Sequence, residues 1–171
     1  CGLKQIIVSS KHSIYYLTGI WAEAGERLIA LYINTDGTIQ LFSNAIFGLS
    51  PSSIETFIHS DSDNPVAEIA SKVISGKIGI DKNLPSKFLI GLMELRSDII
   101  PVNGSLPVDM ARMIKDDFEI EKMKHSSKIN NEVVKEGIEA IKSGVTEKEL
   151  ANVINNGYIK RGASRGGSQL V

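Results

Sequence analysis

Residues 112–162 read RMIKDDFEIEKMKHSSKINNEVVKEGIEAIKSGVTEKELANVINNGYIKRG, and their punctuation sets the architecture. Asp116 followed by Glu119 forms a capping box, in which each side chain accepts from a backbone N–H at the start of a helix. Met123, Ser127, Asn130, Val134, Ile138 and Ile141 follow at steps of three and four, which trace one helical face. Gly144 then supplies the residue that tolerates positive φ past a helix end. Thr146 with Glu149 opens a second box. Leu150, Val153, Ile154 and Tyr158 are its apolar stripe, and Gly162 is its stop. The first helix spans about 25 residues, or roughly 38 Å. Apolar stripes of this kind need a partner surface, because isolated helices are marginal in water.

Working back toward the amino terminus, the pattern changes from helical to mixed. Gln5–Ser9 is a short apolar run and reads as a buried strand. Tyr15-Tyr16-Leu17 reads as a second, weaker strand closed by Thr18-Gly19, and Trp21–Arg27 reads as a loop. Leu28–Ile33 and Ile39–Ser43 flank Asn34-Thr35-Asp36-Gly37, and Asp-Gly between apolar runs is a hairpin signal. Glu55–His59 is a further short strand. Asn64-Pro65 opens a helix with Ala67, Ala70, Val73 and Ile74 on its face, ended by Gly76. Ile78–Ile80 is a buried strand, Pro85 opens a helix with Phe88, Leu89, Leu92 and Leu95 inward, and Asp98–Val102 is the last strand. A hairpin followed by strand, helix, strand, helix, strand predicts an α/β fold, a mixed β-sheet flanked by helices. Gly104–Pro107 reads as the seam before the two long helices.

The totals narrow the function classes. The chain has 171 residues, 42% of them hydrophobic and 23% charged, as expected of one or two globular domains. A net charge of −1 with both signs interspersed offers no basic field for nucleic acid or acidic lipid. No apolar run approaches the about 20 residues of a membrane-spanning helix. One cysteine, Cys1, cannot form an internal disulfide, which favours a reducing compartment. The first residue is cysteine rather than methionine, so the chain is read as starting inside a longer frame.

Together these stretches resemble the prolidase and aminopeptidase P family, which shares its fold with creatinase. Tyr16-Leu17-Thr18-Gly19 with Gly25-Glu26-Arg27 and the hairpin resembles the start of the family's amino-terminal domain. Ile78-Gly79-Ile80-Asp81 resembles its strand-turn segment. Arg112–Asp116 with Glu119–Met123, and Ser143–Glu147 with Glu149-Leu150, resemble the linker and first two helices of its catalytic domain. Each motif is short, and their order over nearly the whole chain carries the match. The resemblance implies a creatinase/prolidase-type amino-terminal domain over 1–108 with a ribonuclease H-like motif, a linker over 109–116, and the start of a pita-bread catalytic domain over 117–171.

It also implies the function of the whole protein, an Xaa-Pro metallopeptidase in the cytoplasm that acts as a homodimer on proline-containing di- or short peptides. Two divalent metals, manganese or cobalt, would be held by two Asp, one His and two Glu and activate a bridging water. Those ligands are expected beyond the second helix, so the 171-residue chain is expected to be inactive alone and to serve dimerisation and the shape of the substrate cleft. Creatinase-like amidinohydrolases and non-catalytic interaction modules of the same fold are the rival classes.

The residues agree with an absence of catalytic groups. His12, His59 and His125 lack a second His or Cys at ligand spacing. Asp61-Ser62-Asp63 reads as turn chemistry, and the acids at 116–121 read as helix capping. The tail from Gly162 to Gln169, rich in Gly and Ser, lacks the Lys-Ser/Thr ending of a phosphate loop. By position in the family, the Trp21–Arg27 loop reaches toward a partner subunit's active site. Glu23 would then face a substrate amine, Arg27 a carboxylate and Trp21 an apolar side chain, with Glu26 beside them. Dipeptide-specific relatives often carry histidine where Gly25 stands. The alternative is that Trp21 packs under the hairpin and Glu26 pairs with Arg27.

Overall fold

The computed structural model describes residues 2–49, 51 and 53–163. The chain divides into two compact units, Cys1–Ile114 and Lys115–Val171.

The first unit is built on a six-stranded mixed sheet. Its strands are β1 (Gln5–Val8), β2 (Ile29–Asn34), β3 (Ile39–Asn44), β4 (Glu55–His59), β5 (Gly76–Ile80) and β6 (Ile99–Asn103). Their order is β4-β3-β2-β1-β5-β6. The β1–β2 and β2–β3 pairs are antiparallel; β3–β4, β1–β5 and β5–β6 are parallel. The expected hairpin is β2–β3, with Gly37 at φ +95° in its turn.

Four helices cover the sheet: α1 (Lys11–Thr18), α2 (Ala67–Lys72), α3 (Ser86–Leu95) and α4 (Ser105–Met113). Alternate residues of each strand face opposite sides. Ile7, Ala30, Tyr32, Phe42 and Ile78 form one core with Val66, Ile69, Phe88 and Leu92 from the α2–α3 side. Val8, Ile29, Leu31 and Leu41 form the other with Ile14 of α1 and Val108 of α4. Burial on both faces is why β2 reads as an unbroken apolar run rather than an alternating one.

Several boundaries differ from the sequence reading. Tyr15-Tyr16-Leu17 is not a strand but the second half of α1, closed by Gly19 at φ +73°. Only Ser13 and Ile14 of that helix are buried, so two β-prone tyrosines and Leu17 stand at exposed positions of a helix fixed by tertiary packing. The supposed seam at 104–107 is the first turn of α4. Pro107 sits where no helical N–H partner exists, so it opens the helix instead of breaking it. The predicted linker at 109–116 is mostly this same helix. Helix α2 starts two residues later than its Asn64-Pro65 signal, because Asn64 Oδ1 accepts from Val66 N at 3.1 Å in a preceding turn. Gly76, at φ +92°, opens β5 rather than ending α2. Leu95, expected inward, is exposed.

The second unit is a helical hairpin of α5 (Asp117–Glu139) and α6 (Glu147–Lys160). Both predicted capping boxes are present, at Asp116/Glu119 and Thr146/Glu149. The packing face of α5 differs from the predicted one. Val133 and Gly137 are buried, while Met123, Val134, Ile138 and Ile141 are exposed. Two glycines let the helices close: a Cβ on Gly157 would lie 3.2 Å from the Val133 methyls, and one on Gly137 3.1 Å from Ile154. Tyr158 donates to Asn130 Oδ1 at 2.5 Å, and Arg161 bridges Glu132 and Glu136 at 2.9 and 2.6 Å. Of the tail reading, Gly162 is in the turn after α6 at φ +78°, and residues 164–169 lie outside the described residues. Cys1 does too.

Candidate substrate-facing cleft

Helices α1 and α3 leave the carboxyl ends of the adjacent parallel strands β1 and β5 toward opposite faces of the sheet. A crevice necessarily opens between such connections, and in open α/β sheets it is the usual ligand position. Here it is a cleft of about 270 Å³ lined by Ser9, Lys11, His12, Glu23, Arg27 and Asn83, among others. Asp81, just past β5 and buried, ties two of the lining segments together: Oδ1 accepts from Asn83 N at 2.7 Å and Oδ2 from Ser10 N at 3.3 Å. The Ser9 hydroxyl is buried without a hydrogen-bond partner.

A second cleft of about 160 Å³ adjoins the first, sharing Arg27, Leu28 and Phe88 and adding Glu26, Asn44, His59, Asp61 and Lys87. Arg27 forms the partition between them. Its Nε and Nη2 donate to the two oxygens of Asp61 at 2.8 and 2.7 Å, the fork geometry that favours guanidinium over ammonium. Asn44 Nδ2 adds a third donor to Asp61 at 2.8 Å. The Arg27 fork holds the Asp61 carboxyl down to about 2, and the same contact pushes the guanidinium upward. Burial lowers the His59 imidazole below its ordinary value, against the opposing pull of Asp63 and Asp61.

The predicted loop residues separate into three places. Glu23 and Arg27 line the larger cleft, and Glu26 with Arg27 lines the smaller. Trp21 stands on the outer side, 46% exposed, edge-on to His12 at 5.4 Å and to Tyr15 at 5.6 Å. It therefore does not pack under the hairpin. Arg27 pairs with Asp61 rather than with Glu26, and Glu23 takes both its oxygens to Lys11 Nζ at 2.8 Å. Asp63 is a turn residue, as its sequence context predicts, accepting from Ser60 N and Oγ at 2.7 Å. Its neighbour Asp61 was missed as a site residue. Thirty-four positions separate it from Arg27, and no local pattern marks such a pair.

Among the described residues, no group of three or more His, Cys, Asp or Glu side chains is placed to hold a metal ion. The donor set of two Asp, one His and two Glu is thus not assembled by the described residues. Among them, too, no helix is long and apolar enough to cross a membrane.

The model of the creatinase/prolidase N-terminal domain matches residues 1–114, two thirds of the chain. The chain belongs to that family. An uncharacterised peptidase of Staphylococcus aureus strain MSSA476 is 28% identical over 158 residues, which cover 86% of this chain and 43% of that protein. A dipeptidase from Pyrococcus horikoshii OT3 superposes with a TM-score of 0.80 at 28% identity, over 94% of this chain and 46% of that one. A prolidase from Thermococcus sibiricus gives 0.82 at 25% identity, over 95% and 46%. This creatinase/prolidase-type chain therefore spans less than half the length of these relatives, and the likeness extends past residue 114 into the helices that follow.

Proposed function

We propose that this creatinase/prolidase N-terminal domain, with α5 and α6, serves a peptidase that hydrolyses the peptide bond before proline. The observation that supports this best is the pair of likenesses to a dipeptidase and a prolidase, each covering over nine-tenths of the chain at 25% identity or more. In this reading residues 1–108 form the amino-terminal domain, the link over 109–116 runs through the end of α4, and 117–171 form the opening of the catalytic domain. The whole protein is a cytoplasmic homodimer, and two divalent metals, manganese or cobalt, are held by residues other than those described. The portion described contributes to dimerisation and to the wall of the substrate cleft, and has no peptidase activity alone.

The loop from Trp21 to Arg27 is the part of that wall nearest the substrate. Its ion pairs are solvent-accessible, and exposed pairs of this kind are worth little individually, so Glu23 can exchange Lys11 for a peptide amine at small cost. Trp21 offers an exposed aromatic face beside it. The test is turnover of an Xaa-Pro dipeptide by the full-length parent with manganese, alongside the 171-residue chain. Activity in the first and none in the second is expected. Turnover by the 171-residue chain, or a parent that cleaves no bond before proline, refutes the reading. Within an active parent, Glu23→Ala is expected to lower kcat/KM, and an unchanged value removes the loop from the substrate wall.

A further inference from the structure

We propose that Asp61 is a positioning residue: acting through Arg27, it fixes the loop 20–27 at the mouth of the cleft. The proposal rests on the reading of that loop as the substrate-facing wall.

The loop has almost no structure of its own. Within it, one backbone hydrogen bond runs from Arg27 N to Ala24 O at 3.0 Å, and Gly25 takes φ +56°. Its shape must therefore come from attachments to the rest of the unit. Ile20, Ala22 and Ala24 pack against the second core, and Trp21 lies against His12 and Tyr15. Toward the cleft the polar ties are two: the Glu23–Lys11 pair, a single flexible ammonium on the first turn of α1, and the Arg27–Asp61 fork. The fork fixes direction as well as distance because two parallel N–H bonds meet two oxygens.

Asp61 is itself held from the sheet. Asn44, the last residue of β3 and buried, donates to Asp61 Oδ1 with its Nδ2, while its Oδ1 accepts from Ile46 N at 3.0 Å. Both ends of that amide are engaged, so it cannot turn away. The chain of contacts runs from β3 through Asn44 and Asp61 to Arg27, and reaches the loop from the side opposite Lys11. The clasp is 41% exposed at Arg27 and 62% at Asp61, which limits what it adds to global stability. Its consequence is where the loop sits, and misplacement of a substrate-positioning group by about 1 Å is enough to cost up to a hundredfold in rate.

The test uses Asp61→Asn and Asp61→Glu in the full-length peptidase. Asp61→Asn is expected to raise KM for an Xaa-Pro dipeptide about tenfold with kcat changed less than about twofold, the signature of lost binding alignment. Asp61→Glu, which keeps a carboxylate for Arg27 and Asn44, is expected to recover most of it. In the 171-residue chain, amide hydrogen exchange over residues 20–27 is expected to quicken in Asp61→Asn and to slow again in Asp61→Glu, with the melting temperature lowered only slightly. Unchanged KM, an equal fall in kcat, or unchanged exchange in the loop overturns the proposal. A parent that cleaves no Xaa-Pro bond sinks the activity reading and the substrate half of this one, while loop exchange still decides whether Asp61 is the anchor.

Discussion

Gly104 lies against Gly79 backbone to backbone: a Cβ built on Gly104 would stand 2.6 Å from both the carbonyl carbon and the Cα of Gly79. The contact joins the start of α4 to the middle of β5, and Gly104 N donates to Ile80 O at 2.9 Å. Gly104 has φ −106°, so an alanine there meets no backbone strain and the cost is purely steric. Because the obstructing atoms are main chain, no side chain can rotate away. Gly104→Ala is expected to destabilise by about 1–3 kcal/mol, read as a lower urea midpoint at unchanged slope. Gly91→Ala in α3, where the nearest contact is a Val66 methyl at 3.3 Å, is the control. It is expected to be neutral or stabilising, since helix interiors favour alanine over glycine by up to about 1 kcal/mol. Equal effects at the two sites would remove the close-contact explanation.

Gln5 makes a second prediction. It is buried in β1 and returns both ends of its amide to Ile74, donating to the carbonyl at 2.6 Å and accepting from the N–H at 2.9 Å. Tyr32 OH also donates to its Oε1 at 3.0 Å. Gln5→Leu keeps the volume but strands two backbone groups and a phenol, at about 1–3 kcal/mol for each buried group left unpaired. Tyr32→Phe removes one donor and leaves Ile74 to satisfy Gln5, so it is expected to cost only about 0.5–1.5 kcal/mol. Urea denaturation of both variants checks the order, and a larger loss in Tyr32→Phe would show that Gln5 is not the hub.

Local chemistry made much of this fold readable. Asp36-Gly37 marks a turn and Asp116-x-x-Glu119 a cap because the residues that need one another are two or three apart. Long-range packing was not readable. Nothing in Tyr15-Tyr16-Leu17 says that only Ser13 and Ile14 of α1 will be buried, or that Pro107 falls inside the first turn of a helix. The α5 face was misassigned for a related reason: two glycines, which carry no apolar signal, make its contact, whereas Val134 and Ile138 stay exposed. At the cleft, the family resemblance names Glu23 and Arg27 as substrate-facing residues of the loop. Their partners Lys11 and Asp61 come from other elements, and only the fold brings them there.

The hairpin of α5 and α6 buries few side chains, so its ends matter more than they would in a packed bundle. Isolated helices of this length are marginal in water. Asp116→Ala and Thr146→Ala each remove a side-chain acceptor from a first turn, at a typical cost of about 1 kcal/mol. Each is expected to reduce ellipticity at 222 nm at moderate temperature, and Asp116→Asn, which retains an acceptor, to reduce it less. No loss in either alanine variant would mean that the boxes are not what fixes these helix starts.

Acid should unfold the first unit in two stages, and the sign follows from the pKa directions. Burial depresses the His59 imidazole, so the unfolded chain takes up that proton first. Stability from keeping His59 neutral is present above about pH 6.5 and is lost as pH falls through its lower folded value. The Asp61 carboxyl, held at about 2 by Arg27, contributes stability that is full above the ordinary carboxylate range and lost as pH drops toward about 2. Asp63 and Asp98, also lowered, by Ser60 and by Arg96, share the acid stage. Urea midpoints measured across pH should therefore fall below neutrality and again in strong acid. His59→Gln is expected to flatten the first fall and leave the second. Asp61→Asn is expected to reduce the second without abolishing it. A first fall of the same slope in His59→Gln would assign the neutral-pH sensitivity to another group.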